Sequence, residues 1–135
     1  MRTLALTVAL IAVAVGLAVP AASGRTAKTL VAVKLSEFKV ARAPASAKAG
    51  APVAFKVRNA GKLDHEFVIV KTNLPAGKLP VKAGRVSLKP LGKIGPFKPG
   101  KGGVLALSLK AGKYVLFCNV TGHYSAGQYA PFVVK

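Results

Sequence analysis

The sequence is short of the side chains that most often carry chemistry. Its 135 residues include one cysteine and two histidines, and only Glu37, Asp64 and Glu66 are acidic. A single cysteine excludes an internal disulfide. Two histidines are too few for a second metal cluster, and the chain lacks a methionine- or histidine-rich tract for capturing metal ions. Any functional site must therefore be built from very few residues.

Positive charge is the one property present in excess. The chain has 21 lysines and arginines and a formal net charge of +18. This charge predicts attraction to acidic proteins or to an anionic membrane surface, strongest at low salt. The lysines are scattered and are not interleaved with aromatic residues, so no nucleic-acid partner is expected. A solvated, self-repelling surface that keeps the protein soluble is the alternative interpretation.

The N-terminus has the pattern of an export signal. A short basic start precedes 16 uncharged residues, 4–19, which are followed by small residues. This pattern predicts a signal peptide over 1–21, cleaved within 21–24, and a periplasmic, extracellular or cell-envelope location. An uncleaved anchor is the alternative, although 16 residues are few for a bilayer span. We expect a linker over 22–28 and one domain over 29–135.

The rest of the chain is typical of an all-β protein. Seven or so short segments alternate between apolar and polar residues, with turn signals between them and no convincing amphipathic helix, which predicts an antiparallel β-sandwich. The least regular part, 72–103, is expected to contain short strands near 86–88 and Ile94. Pro131 in the last strand indicates an edge or a bulge. The clearest inward-facing residues are Val31, Val33, Leu35, Val53, Phe55, Val57, Leu105, Leu107 and Leu109.

Three polar residues lie where predicted strands end. His65 opens one strand, Cys118 closes another, and Gln128 precedes the last. Since residues two apart in a strand share a face, all three are predicted to face inward. His65 shares its face with Phe67 and Ile69, and Cys118 shares one with Leu116 and Tyr114. Gln128 shares its face with Ala130, Phe132 and Val134. A buried polar group needs a partner, and a shared metal ion would supply one.

The spacing and the donor types point to copper. Four residues separate Cys118 from His123, and four more separate His123 from Gln128. This is wider than the close cysteine pairs of structural zinc sites, but it lets a loop carry an imidazole back over the metal. One thiolate and two imidazoles with a weak axial ligand form a trigonal copper site, and Gln128 is placed to be the axial ligand.

Several polar side chains near these residues are candidates for supporting them. Asn119 adjoins the cysteine, Asp64 and Glu66 flank the first histidine, and Asn59 ends the preceding strand and could tie the two ligand loops together. Each also has a simpler interpretation, as a turn residue or a solvated surface residue. Tyr124 is expected to pack in the core.

The motifs resemble those of the cupredoxins, the type 1 or blue copper proteins. The resemblance implies a Greek-key β-sandwich of about eight strands and coordination by His65, Cys118 and His123, with electrons entering at the exposed edge of His123. It rests on the stretches 33–38, 59–67, 99–100 and 112–128.

The chain departs from most cupredoxins at the axial position. Gln128 stands where methionine is usual, which is similar to the stellacyanin-type phytocyanins, but the disulfide cysteines of that group are missing. The stretch 118–124 is closer to prokaryotic sulfocyanin-like and plastocyanin-like domains.

These features predict a monomeric one-electron carrier that binds one copper ion and serves redox partners with acidic docking surfaces. A copper-delivery protein outside the cytoplasm is the alternative, and a sandwich domain with vestigial ligands is a third possibility. An enzyme is not expected, because a buried, fully ligated copper leaves no open position for a substrate.

Overall fold

A computed structural model describes residues 28–135. The predicted signal peptide and most of the predicted linker lie outside these residues. Between 28 and 135 the chain forms strands and no helix, so no helix of this region could span a membrane. Its eleven strands are β1 Thr29–Ser36, β2 Lys39–Ala43, β3 Ser46–Ala47, β4 Pro52–Asn59, β5 His65–Lys71, β6 Val81–Lys82, β7 Arg85–Val86, β8 Gly92–Phe97, β9 Gly102–Ser108, β10 Gly112–Phe117 and β11 Tyr129–Val134.

Two sheets form a sandwich, as predicted. One has the order β2-β1-β4-β9 and the other β3-β11-β10-β5-β8, while β6 and β7 make a separate hairpin. Within the described residues, β3, β6 and β7 have only two residues each, and the other eight strands have five to eight. Those eight match the strand number that the cupredoxin resemblance implies.

The prediction of a purely antiparallel sandwich is wrong in two places. β1 runs parallel to β4, and β3 runs parallel to β11. The chain leaves the first sheet after β2, joins the second sheet at β3, and then returns as β4. Because that connection crosses between sheets, β4 enters beside β1 in the same direction, which a simple hairpin would not allow.

The main core lies between the two sheets. The residues predicted to face inward from β1 and β4 are buried, and they meet the inward faces of β5, β10 and β11. Phe55 stands at the centre, with its ring 5.3 Å from that of Phe67 and 5.4 Å from that of Phe132. The alternation of apolar and polar residues thus predicted the two faces correctly.

A second, smaller core covers the outer face of β5 and β10. It contains Val68, Val70, Val115, Phe117 and Tyr124, with Leu79 and Val86 packed over them. The irregular segment predicted over 72–103 supplies this cover, and it contains β7 and β8 near the predicted positions. This is why β5 is buried on both faces and does not alternate.

Pro131 fits into β11 because its backbone nitrogen points to the side of the strand where no partner strand pairs with it. It is paired with Val115 of β10 on one side, and β3 reaches only Val133 and Val134 on the other. The Pro131 carbonyl accepts a hydrogen bond from Arg42 Nε at 2.9 Å. The predicted edge character therefore holds locally, because the missing N–H faces away from β10.

Candidate metal centre

The topology brings the predicted ligands to one end of the sandwich. His65 begins β5, Cys118 follows β10 and Gln128 precedes β11. β10 lies between β5 and β11 in the sheet, so these strand ends are neighbours. A hydrogen bond of 3.1 Å from Cys118 N to Gln128 O closes the neck of the connecting loop. His65, Cys118 and Gln128 are fully buried, as the strand parity predicted.

Three metal-binding atoms converge at this end. His65 Nδ1 lies 3.2 Å from His123 Nδ1, and Cys118 Sγ lies 3.9 Å from the first nitrogen and 3.5 Å from the second. Bonds of about 2.0 Å to nitrogen and 2.3 Å to sulfur, arranged trigonally, would separate such atoms by roughly 3.5–3.7 Å. The three atoms therefore have the spacing of ligands to one small ion.

The ligand loop over 118–128 returns His123 to the cluster through a series of tight turns. His123 N donates to Val120 O, and Gln128 N donates to His123 O. Gly122 and Gly127 have φ values of 83° and 110°, which other residues rarely adopt. The glycines at these two positions thus make the short return of the chain possible.

Burial shifts the pKa values of His123 and Cys118. It lowers the pKa of His123, as does the neighbouring His65, so His123 favours the neutral form that can coordinate. Burial raises the pKa of Cys118, partly offset by the backbone N–H of Glu66, which lies 3.2 Å from Sγ. The metal-free cysteine is therefore protonated at neutral pH, and metal binding releases its proton.

Gln128 lies beside the cluster with one unsatisfied atom. Its Nε2 is 3.0 Å from His65 Nδ1. Its Oε1 is buried and has no hydrogen-bond partner among the described residues. A buried acceptor without a donor is costly, and a bound cation would satisfy it.

The chemistry of this donor set fits copper. A thiolate and imidazoles are soft to intermediate ligands that bind both Cu(I) and Cu(II). His65, Cys118 and His123 form the group of possible metal ligands found in the described residues. The predicted cofactor agrees with this arrangement.

The structure separates the predicted supporting residues. Asn119 anchors the ligand loop, since its Oδ1 accepts from Val86 N at 2.7 Å and its Nδ2 donates to Val86 O at 3.2 Å. Asp64 is exposed and lies 4.0 Å from Lys98, so it does not reach the cluster. The Glu66 carboxylate pairs with two cations at 3.7 Å, and only its backbone contacts the cluster.

Asn59 acts on one ligand segment and not on two. Its Oδ1 accepts from Gly61 N at 2.9 Å, and its Nδ2 donates at 2.7 Å to both Leu63 O and Phe97 O. It therefore ties the segment before His65 to the end of β8. Its described hydrogen bonds do not reach the loop that carries Cys118.

Sequence reasoning missed the turn between β1 and β2. Glu37 Oε1 lies 2.9 Å from His65 Nε2, and the Phe38 ring packs edge-on against the ring of His123, 5.0 Å between centroids. The pKa of Glu37 is lowered to about 2, chiefly by the hydrogen bond from the Leu63 N–H. The N–H groups of Glu37 and Lys62 and the His65 ring lower it further, while burial opposes the shift. The scarcity of acidic residues in so basic a chain is the signal that could have drawn attention to Glu37.

Solved structures similar to this chain are blue copper proteins. Reduced rusticyanin has a TM-score of 0.62 and 25% identity, over 84% of this chain and 81% of that one. A rusticyanin variant with glutamine in place of a methionine gives 0.59 and 28%, over 84% and 80%. Reduced auracyanin from the photosynthetic bacterium Roseiflexus castenholzii gives 0.57 and 18%, over 83% and 99%. No protein-family profile and no curated protein sequence matches the chain.

The fold and the cluster define the class of protein. The chain has the β-sandwich of the cupredoxins, and its His65, Cys118 and His123 group fits a type 1 copper site. The predicted resemblance, the fold class and the copper cofactor are confirmed. Together they support a blue copper electron carrier; the individual ligand roles stay predictions.

Proposed function

We propose that this protein is an exported one-electron carrier with a single type 1 copper ion. His65, Cys118 and His123 supply the equatorial ligands, and Gln128 supplies the weak axial one. The observation that carries the proposal is the convergence of two imidazole nitrogens and one sulfur, separated by 3.2–3.9 Å. When bound, the copper gains and loses one electron between Cu(II) and Cu(I).

The protein's part is to hold the ligand atoms and limit the access of water. His65, Cys118 and Gln128 are held by strand ends, and the sheets bury their side chains. Ligands held in this way rearrange little when the charge of the metal changes, which favours fast electron exchange. His123 is partly exposed, and the half-exposed Phe38 lies on its ring, so this edge is the proposed route for electrons.

The position of Gln128 supports axial ligation. Oxygen and nitrogen of a side-chain amide exchange places on a half-turn. Such a turn would bring Oε1 to the position of Nε2, which is 3.0 Å from His65 Nδ1. A metal would then satisfy the oxygen, while the freed N–H₂ would need another acceptor.

Export and partners are proposed from the sequence. The N-terminal pattern supports export to the periplasm, the cell envelope or the exterior. The net charge of +18 supports docking of the monomer on redox proteins with acidic surfaces, with electrostatic association to an anionic membrane as a further consequence.

The absorption spectrum of the copper-loaded protein tests the function. We expect an intense band at about 600 nm, from thiolate-to-copper charge transfer, that is bleached reversibly by one electron. Cys118→Ser should abolish the band while a far-ultraviolet circular dichroism spectrum shows that the sandwich remains. A colourless copper-loaded wild-type protein would rule the proposal out.

A further inference from the structure

The carboxylate of Glu37 collects three N–H groups from a single segment. Its Oε1 lies 2.9 Å from Lys62 N, 2.7 Å from Leu63 N and 2.9 Å from His65 Nε2. Glu37 stands 28 residues before His65, in the turn that joins β1 to β2. One oxygen thus holds both the backbone that leads into β5 and the ring of the first proposed ligand.

The segment before β5 is shaped to admit this carboxylate. A Cβ on Gly61 would lie 2.5 Å from Glu37 Oε1 and 2.7 Å from Oε2, so only glycine leaves the space free. Asn59 bonds to Gly61 N and Leu63 O and holds the same segment from the other side. The site for Glu37 is therefore built into the backbone and is not a chance surface contact.

Among residues 28–135, no lysine or arginine forms a salt bridge with the Glu37 carboxylate. Asp64 lies 4.0 Å from Lys98, and Glu66 lies 3.7 Å from both Arg85 and Lys93. In the described part of this strongly basic chain, the basic side chain whose nitrogen lies within 4.0 Å of the Glu37 carboxylate is His65. The negative charge therefore acts on the backbone N–H groups of Lys62 and Leu63 and on the His65 imidazole.

We propose that Glu37 is a positioning residue that sets both the tautomer and the donor strength of His65. It accepts a hydrogen bond from the Nε2–H of His65 and so favours the tautomer with the proton on Nε2, which leaves the Nδ1 lone pair facing the cluster. A carboxylate behind the ring makes Nδ1 a stronger donor and places negative charge near the metal. Cu(II) carries one more positive charge than Cu(I) and gains more from it, so Glu37 lowers the reduction potential. This role rests on the proposed function.

A matched pair of variants tests the effect on the metal. Glu37→Gln keeps the shape of the side chain and removes its charge, while Asp64→Asn removes the same charge one residue from His65 without a contact to the ring. For Glu37→Gln we expect a loss in Cu(II) affinity on the order of 10- to 100-fold, a smaller loss for Cu(I), and hence a higher midpoint potential. Asp64→Asn should change neither affinity more than about twofold. Equal effects of the two variants on the midpoint would overturn the proposal.

The metal-free protein gives an independent readout. The ¹⁵N chemical shifts of the His65 ring should show the tautomer with the proton on Nε2 in the wild type and in Asp64→Asn. Gly61→Ala, which keeps the charge but blocks the space for the carboxylate, should populate the other tautomer. A wild-type ring protonated on Nδ1 would overturn the proposal even if Glu37→Gln failed to fold.

These outcomes separate the two proposals. Failure of the proposed function would appear as a colourless copper-loaded wild-type protein. Failure of the Glu37 role alone would leave the wild type blue while Glu37→Gln kept the wild-type midpoint and Gly61→Ala kept the wild-type tautomer.

Discussion

At the scale of single residues, the proposed axial role of Gln128 would influence the relative stability of Cu(II) and Cu(I) at the site. An amide oxygen is a harder donor than a thioether and favours Cu(II), the harder of the two copper ions. The Gln128 amide lies at the cluster, with Nε2 3.0 Å from His65 Nδ1, and its buried Oε1 has no hydrogen-bond partner among the described residues, so this amide is the proposed axial donor.

Substitution at this position should therefore order the reduction potentials. Gln128→Met should raise the midpoint, and Gln128→Leu, which offers no axial donor, should raise it further, because Cu(II) loses more than Cu(I) in each step. Voltammetry of the three copper-loaded proteins checks the order. A fall, or no change, for Gln128→Met would count against axial ligation.

At the scale of elements, the ligand loop over 118–128 is fastened to the segment that covers the outer face of the second sheet. Tyr124 Oη donates to Ala76 O at 2.6 Å and accepts from Leu79 N at 2.9 Å. Gly122 N donates to Gly84 O, and Asn119 bonds to Val86. The cover thus does more than bury apolar surface, since it limits the movement of the loop that carries His123.

Removing the Tyr124 hydroxyl should loosen this loop. Tyr124→Phe leaves the buried Leu79 N–H without an acceptor, so we expect a loss of about 1–3 kcal/mol in the free energy of unfolding. Copper should also be lost faster to a chelator. Both are measured directly, by urea denaturation and by the decay of the band at about 600 nm.

Tyr114→Phe is the control for that variant. Its hydroxyl also donates one short hydrogen bond, of 2.6 Å to Lys110 O, but away from the ligand loop. It should lower stability by about 1 kcal/mol and leave the rate of copper loss unchanged. Equal rates of copper loss in the two variants would show that the cover does not restrain the loop.

At the scale of the whole molecule, charge is distributed unevenly. All three acidic residues lie at the metal end, where Glu37 contacts His65 and the other two flank it in sequence. With 21 basic residues in its sequence, the protein has a strong positive field. Such a field attracts anions over roughly 30 Å at 0.01 M ionic strength, but over only about 8 Å at 0.15 M.

The rate constant of electron exchange should therefore depend on salt concentration, and the charge of the redox partner should decide whether it falls or rises. The second-order rate constant with a small anionic redox reagent should fall on the order of tenfold or more between 0.01 M and 0.15 M salt. With a cationic reagent it should rise. Stopped-flow measurement of both reagents checks this, and the same slope for the two would contradict a role of net charge in docking.

Much of the fold and the cluster could be predicted from local pattern. The alternation in Val53, Phe55 and Val57 predicted an inward face because successive side chains of a strand point to opposite sides. The same parity placed His65 and Cys118 on the buried side. The pattern could not show that β1 pairs with β4 in parallel, because pairing depends on which sheet the chain enters between them.

The sequence by itself determined the type of donor atoms, their place at strand ends and the net charge, because residue identity and two-residue periodicity are properties of neighbours along the chain. Only the tertiary structure decided that Glu37 lies behind His65, that Asp64 lies near Lys98 and that Asn59 serves one ligand segment. Those contacts depend on how turns distant in sequence fold against one another, and the hydrogen bonds that hold them follow no periodic pattern.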